Sequence, residues 1–169
     1  SGFDFAYHDQ QLNNTILTNC ILDQCKFTPE FCTTGYSSVK NCEGCQMNGV
    51  DLSNLSKISP SKDFFTFLNT NNINYAGIIL NDDGIVAAHN AGIDLKKCSF
   101  KEVRFLSNKL SGISLAGIDL AKCEHLNHTA DLSDCDLRGC ILPDDFFKKV
   151  TKFENIKLDS DGVELAIKN

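Results

Sequence analysis

Large side chains recur at every fifth position over long stretches of this chain, and two positions before each stands a small or β-branched residue. Between Ile73 and Leu120 the large series runs Tyr75, Leu80, Ile85, Asn90, Leu95, Phe100, Phe105, Leu110, Leu115, Leu120. The preceding series runs Ile73, Ile78, Asp83, Ala88, Ile93, Cys98, Val103, Asn108, Ile113, Ile118. Near the N-terminus Leu12, Leu17, Leu22 and Phe27 follow Gln10, Thr15, Cys20 and Cys25 in the same phase, and Met47 and Leu52 follow Cys45 and Val50. Near the C-terminus Leu132, Leu137 and Leu142 follow Ala130, Cys135 and Cys140. A period of five matches neither the roughly 3.6-residue period of a helix nor the two-residue period of a strand. It marks a repeat architecture.

The pattern breaks in three places. Between Phe27 and Met47 the phase survives, but Cys32, Ser37 and Cys42 occupy large positions and Pro29 stands nearby. Between Leu52 and Tyr75 the phase slips by three. There a helical insertion is expected at about 57–70, with a short helix over about 60–68: Ser59 suits the N-cap, Pro60 the first helical position and Asp63 the first turn. Between Leu120 and Leu132 the phase slips by two, which predicts a bulge around His125, Leu126 and His128. After Leu142 the plan of the insertion returns. Pro143 and Asp145 precede Phe146 and Phe147, Lys148 and Lys149 fit a helix C-terminus, and Asn155-Ile156 echoes Asn72-Ile73. The plain reading of both Phe-Phe pairs is that they plug the core or pack on its side, because the open ends of a solenoid need caps.

Across residues 130–142 the order small, polar, Leu, polar, polar runs three times almost cleanly. On these residues the chain resembles the pentapeptide-repeat family, over roughly 10–55 and 73–142. The resemblance implies an all-β fold, a right-handed quadrilateral parallel β-helix, forming one domain over 1–169 with a C-terminal cap at 143–169. Each five-residue unit would make one side, with the large and small residues both pointing inward. Stacked coils would pair each other's backbone groups, and stability would be a nearest-neighbour sum.

Nine cysteines are present, and Cys20, Cys25, Cys45, Cys98, Cys123, Cys135 and Cys140 all fall on the small inward position. They read as reduced, buried, small hydrophobes, which points to a reducing compartment. The odd total and the core placement argue against a disulfide framework. Cys42 and Cys45 have the spacing of a zinc half-site, but no second pair completes it. Asn81-Asp82-Asp83-Gly84 reads as a turn and only weakly as a calcium loop. No metal and no cofactor is expected. His8, His89, His125 and His128 have no serine or cysteine partner at diagnostic spacing, and there is no phosphate-binding loop, so no catalytic site is expected. The net charge of −6 comes with scattered Lys and Arg, which argues against a nucleic-acid groove. No apolar run approaches the ~18–20 residues that span a bilayer, and Ser1-Gly2-Phe3-Asp4 does not begin a signal peptide. Ser1-Gly2 reads as the scar of a cleaved tag, so the chain is expected to be a piece of something longer.

Within the family, the chain resembles the N-terminal β-helix domain of HECT-like ubiquitin ligase effectors of enteric pathogens. The carriers are the interrupted repeats, the cysteine-rich small positions, the Asn, Lys and Ile-leaning composition and the ending from Leu142 to Phe147. That resemblance implies a non-catalytic protein-interaction module, secreted by a bacterium into the host cytosol. Its partner would be a host protein of the ubiquitin pathway, such as a RING-type ligase, and the thioester-forming cysteine would lie in a separate lobe. The expected partner-binding residues are Phe64, Phe65 and Phe67 on the inserted helix, and Leu126 and His128 on the bulge. The alternative within the wider family is a DNA-mimicking inhibitor of DNA gyrase. The broken repeats, the net charge of only −6 and the mixture of Lys with Asp at outward positions all depart from the dense negative charge such a rod needs.

Overall fold

The recurring local structure is a tight turn that joins one large residue to the next small one. The small residue donates its backbone N–H to the carbonyl three positions back: Ile118 to Leu115 at 3.0 Å, Cys135 to Leu132 at 3.1 Å, Cys140 to Leu137 at 3.1 Å. The third residue of these turns has a positive φ, 76° at Gly117, 62° at Asp134 and 71° at Gly139. That is the requirement of a type II turn. Where Lys97 or Lys122 takes that place, the chain makes a 3-10 turn instead, Leu95–Lys97 and Leu120–Lys122. Asp94 and Asp119 cap these by accepting from Lys96 N and Ala121 N. In these five turns the residue two after the large position goes with the form the turn takes.

The computed structural model describes residues 15–16, 35–41, 43–53, 61–106 and 110–168, in two compact units, 1–99 and 100–169. The elements are β1 (Thr15–Ile16), β2 (Val39–Asn41), α1 (Lys62–Thr70), α2 (Asp82–Asn90), α3 (Phe146–Lys149) and α4 (Ser160–Lys168). The expectations placed on Leu12, Leu17, Leu22, Phe27, Cys20, Cys25, Cys32, Cys42 and Asn108 lie outside the described residues. In the first unit β1 pairs with β2 in parallel, and single parallel bridges join Gln46 to Asn74, Asp51 to Ile79 and Ile79 to Ser99. In the second unit Ser114, Asp136 and Lys157 form a three-step parallel ladder, with further bridges from Asp119 to Ile141 and Asp131 to Lys152. Between these bridges the paired small and large residues point inward. Val50 with Leu52, Ile78 with Leu80, Ile113 with Leu115 and Cys135 with Leu137 are all buried.

The all-β expectation is overturned. Among the described residues only β1 and β2 are strands, and they make one two-stranded pair; other pairing between successive coils is by single residues. Helices fill much of the rest, so the class is mixed. The physical reason lies in the turns. A corner every five residues leaves too few extended residues between turns for continuous ladders, and one stretch that keeps the period of five, residues 82–90, folds as helix. Over α2, Ile85 and Ala88 are buried, which their i, i+3 spacing allows on one helix face as readily as a period of five does. Asp83 and Asn90, the polar members of the two series, are turned outward by the helix. Asn81 begins it by accepting from Gly84 N at 2.9 Å, with Asp82 and Asp83 in the first turn.

The inserted helix is α1, two residues later than the expected 60–68. Ser61 rather than Ser59 is its N-cap, accepting from Phe64 N at 3.1 Å. The phrase that starts α2 recurs at α4: Leu158-Asp159-Ser160-Asp161-Gly162 repeats Leu80-Asn81-Asp82-Asp83-Gly84, with Asp159 accepting from Gly162 N at 3.0 Å. Short α3 buries Phe146, whose ring meets Phe147 edge-on at 4.9 Å, and Phe147 in turn meets Phe153 at 5.3 Å. No helix among the described residues is long and apolar enough to cross a membrane.

Candidate functional site

On α1 the expected interaction surface turns inward. Phe64, Phe65 and Leu68 lie on its buried face. Phe64 packs against Phe65 at 5.5 Å and against Tyr36 at 5.6 Å. Phe67 is half-buried and meets Tyr36 at 5.1 Å. Phe64 and Phe65 thus offer no area to a partner without unfolding the helix; at these two positions the partner-binding expectation is corrected to core. The reason is the amphipathic spacing, which sends 64, 65 and 68 to one face and leaves Lys62, Asp63, Thr66 and Asn69 outside.

The bulge between Leu120 and Leu132 divides its expected pair. Leu126 is buried and His128 is exposed. Phe105 adopts φ 53°, which a bulky residue does at some local strain, and its carbonyl accepts from Asp131 N at 2.7 Å. Leu106 meets Ala130 in the one antiparallel bridge among the described residues. His125 Nε2 lies 3.3 Å from Glu102 Oε2, and Lys101 reaches Glu124 at 3.4 Å. Asn127 Oδ1 accepts from both the backbone N and the hydroxyl of Thr129, at 2.8 and 2.7 Å. A shallow groove of about 320 Å³ runs between Arg104, Leu106, His125, Asn127 and Thr129. Leu106 is 43% exposed there.

Among the described residues the thiols are held in the core rather than poised to react. Cys123 donates to Val103 O at 3.2 Å, Cys135 to Leu110 O at 3.2 Å and Cys140 to Leu115 O at 3.0 Å. Each is thus a thiol bonded to a carbonyl of the coil before it. Burial, with the charges of Asp131 and Asp134 behind it, pushes Cys135 up to about 12; burial and then Asp94 do the same at Cys98. A thiolate nucleophile or metal ligand needs the opposite shift. Cys45, the described half of the zinc-like pair, is a buried, reduced thiol. Among the described residues no group of three His, Cys, Asp or Glu could hold a metal. The suggestion of a calcium loop at Asn81 gives way to a helix cap.

Outward polar residues are organised instead. In the second unit Ser111 donates to Asp134 Oδ2 at 3.1 Å and Asn155 donates to Asp134 Oδ1 at 3.2 Å, so one row of side chains is tied across three successive coils. In the first unit a polar groove of about 410 Å³ is lined by Gln46, Asn69, Asn72, Asn74, Tyr75 and Lys97 among others. Neither row was singled out from the sequence. The signal available was the outward positions of the five-residue period, taken across coils rather than along the chain. No protein-family model matches the chain, and no curated protein matches it in sequence.

Proposed function

We propose that this chain is a non-catalytic protein-interaction module, of the kind a secreted bacterial effector uses to bring a host protein or substrate to a HECT-like ubiquitin ligase. The observation that carries the module reading is the row from Ser111 through Asp134 to Asn155. Side chains already fixed to one another across coils lose little freedom on docking, so a rigid outward face binds at lower entropic cost than a loop. The effector assignment rests on the sequence resemblance. The gyrase-inhibitor alternative is less well supported, because several of the described acids have a cation beside them. Asp119 pairs with Lys122 at 2.9 Å, Asp136 with Arg138 at 2.6 Å and Asp145 with Lys149 at 2.8 Å. A duplex mimic needs the field of unneutralised acids.

The test is affinity capture on the tagged chain, run in parallel on human-cell and bacterial lysates with mass spectrometry of the bound fraction. The variants Arg104→Glu and His128→Glu, checked for folding by circular dichroism, serve as surface controls. Specific capture of a host ubiquitin-pathway protein supports the proposal, and its loss in either variant maps the face to the bulge. Capture of gyrase from the bacterial lysate overturns it in favour of the DNA mimic, and capture of neither protein overturns it outright.

A further inference from the structure

We propose that the first unit carries a binding groove for a neutral, hydroxyl-rich ligand, an oligosaccharide. The groove, about 410 Å³, is lined by the carboxamides of Gln46, Asn69, Asn72 and Asn74 with Tyr75 and Lys97. Among the described residues it is lined by no carboxylate, in a chain whose net charge is −6. The amides come together through the stacking of coils. Gln46 and Asn74 are bridge partners on neighbouring coils, Asn69 stands near the end of α1, and Asn72 sits at the corner that follows, with φ 50°.

These amides are scarcely used by the protein itself. Among the described residues the Asn72 side chain has no partner. Asn74 accepts from Ala76 N with Oδ1 at 3.2 Å and keeps its Nδ2 donors. Gln46 accepts one long bond from Asn48 at 3.4 Å and keeps its Nε2 donors. Asn69 reaches Ala91 O only at 3.5 Å. A carboxamide presents a donor and an acceptor side by side on one planar head. A pair of neighbouring sugar hydroxyls, each able to donate and accept, matches that head in either orientation. Ligands with other chemistry fit less well. The apolar residues here, Ile73 and Tyr75, are 4% and 8% exposed, so the groove presents polar heads to whatever enters it. Nucleic acid needs clustered cations; among the described residues Lys97 is the one cation of this groove, and its Nζ lies 5.7 Å over the Tyr75 ring.

The probe is an array of immobilised oligosaccharides built from hexoses, N-acetylhexosamines and uronic acids, read with the labelled chain. Two variants accompany it. The double variant Gln46→Glu with Asn74→Asp keeps side-chain shape and the Oδ1 acceptor for Ala76 N, but removes the amide donors. Asn72→Gly keeps the left-handed corner and removes the carboxamide. The expected result is binding to at least one neutral glycan class by the unaltered chain, weakened about tenfold or more by each variant, as when a built hydrogen bond loses its partner; binding to the uronic acids alone overturns the neutral-ligand proposal. Failure to bind any glycan overturns the proposal. So does unchanged binding by a variant whose circular dichroism and melting match the parent. Because the two variants perturb the fold differently, a folding defect in one leaves the other decisive.

Discussion

Asp83 and Asn90 stand on positions that the five-residue period sends inward, and both are exposed. A buried unpaired carboxylate is costly, and the helix turns Asp83 outward while it buries Ile85, Ala88 and the neighbouring Asp82. The cysteines show the opposite case: a small residue that obeys the period and gains a carbonyl partner on the neighbouring coil. With Cys135 pushed up to about 12, its thiolate is scarce at pH 8. In the native chain Cys135 should therefore resist iodoacetamide at pH 8, and react freely once denatured; peptide mass spectrometry checks this. Among the carboxylates, hydrogen bonds from Arg138 hold Asp136 down to about 2 from its ordinary 3.8, and the N–H groups of Gly162 and then Gly139 lower Asp159. A depressed folded-state value contributes stability above the ordinary value and loses it as pH falls through the folded one. The melting temperature should accordingly fall between about pH 4 and about pH 2. Asp159→Asn should flatten that fall, which a pH series of thermal melts would show.

At the scale of the element, the clearest lesson is the shared start of α2 and α4. Glycine stands in the first turn of each, where alanine ordinarily favours a helix by about 1 kcal/mol. Here a Cβ at position 84 would meet Leu80 Cβ and Cδ2 at 3.2 Å, and one at 162 would meet Leu158 Cδ2 at 3.0 Å. The leucine that precedes each cap folds back over the first turn and occupies the space. Gly84→Ala and Gly162→Ala should each lower the melting temperature rather than raise it. An increase in either would show that the leucine moves aside at no cost. The same phrase could have announced both helices from sequence. It is not visible to a search for apolar period, because its information lies in Asn or Asp at the cap and Gly three residues on, not in hydrophobicity. The inserted helix was legible, since Pro, Ser and Asp crowd before Phe64. It starts at Lys62, two residues past the expected 60, because the Ser61 side chain caps it by accepting from Phe64 N.

For the whole molecule, the stacking of coils makes each core layer depend on its neighbours. Leu115 is fully buried, and its backbone N donates to Asp136 O on the next coil at 2.9 Å. Leu115→Asp places an unpaired charge there and should cost several kcal/mol. Hydrogen exchange should report loss of protection spreading to residues 132–142, not confined to 110–120. The exposed neighbour Ser114→Asp should shift stability by no more than about 0.5 kcal/mol. If protection were lost only locally in Leu115→Asp, the coils would be independent and the nearest-neighbour picture would fail.

By itself the sequence determined most of the residues that face inward, though not Asp83 and Asn90, because inward facing in a repeat depends on residues within five positions of each other. Tyr75, Leu80, Leu115 and Leu132 are buried as their period requires, and Gly117, Asp134 and Gly139 bend the chain as their φ preferences allow. It also marked the phase slip at the bulge, where Leu126 turns in and His128 out. What only the tertiary structure decided was how much of the chain is strand, where a stretch of repeat becomes a helix, and which outward side chains meet. The difference is one of range. Burial and turns are fixed locally, whereas the meeting of Gln46 with Asn74, or of Ser111 with Asp134 and Asn155, depends on the number of residues in the coil between them. That number changes at every insertion and bulge, so the surface was not legible until the coils were stacked.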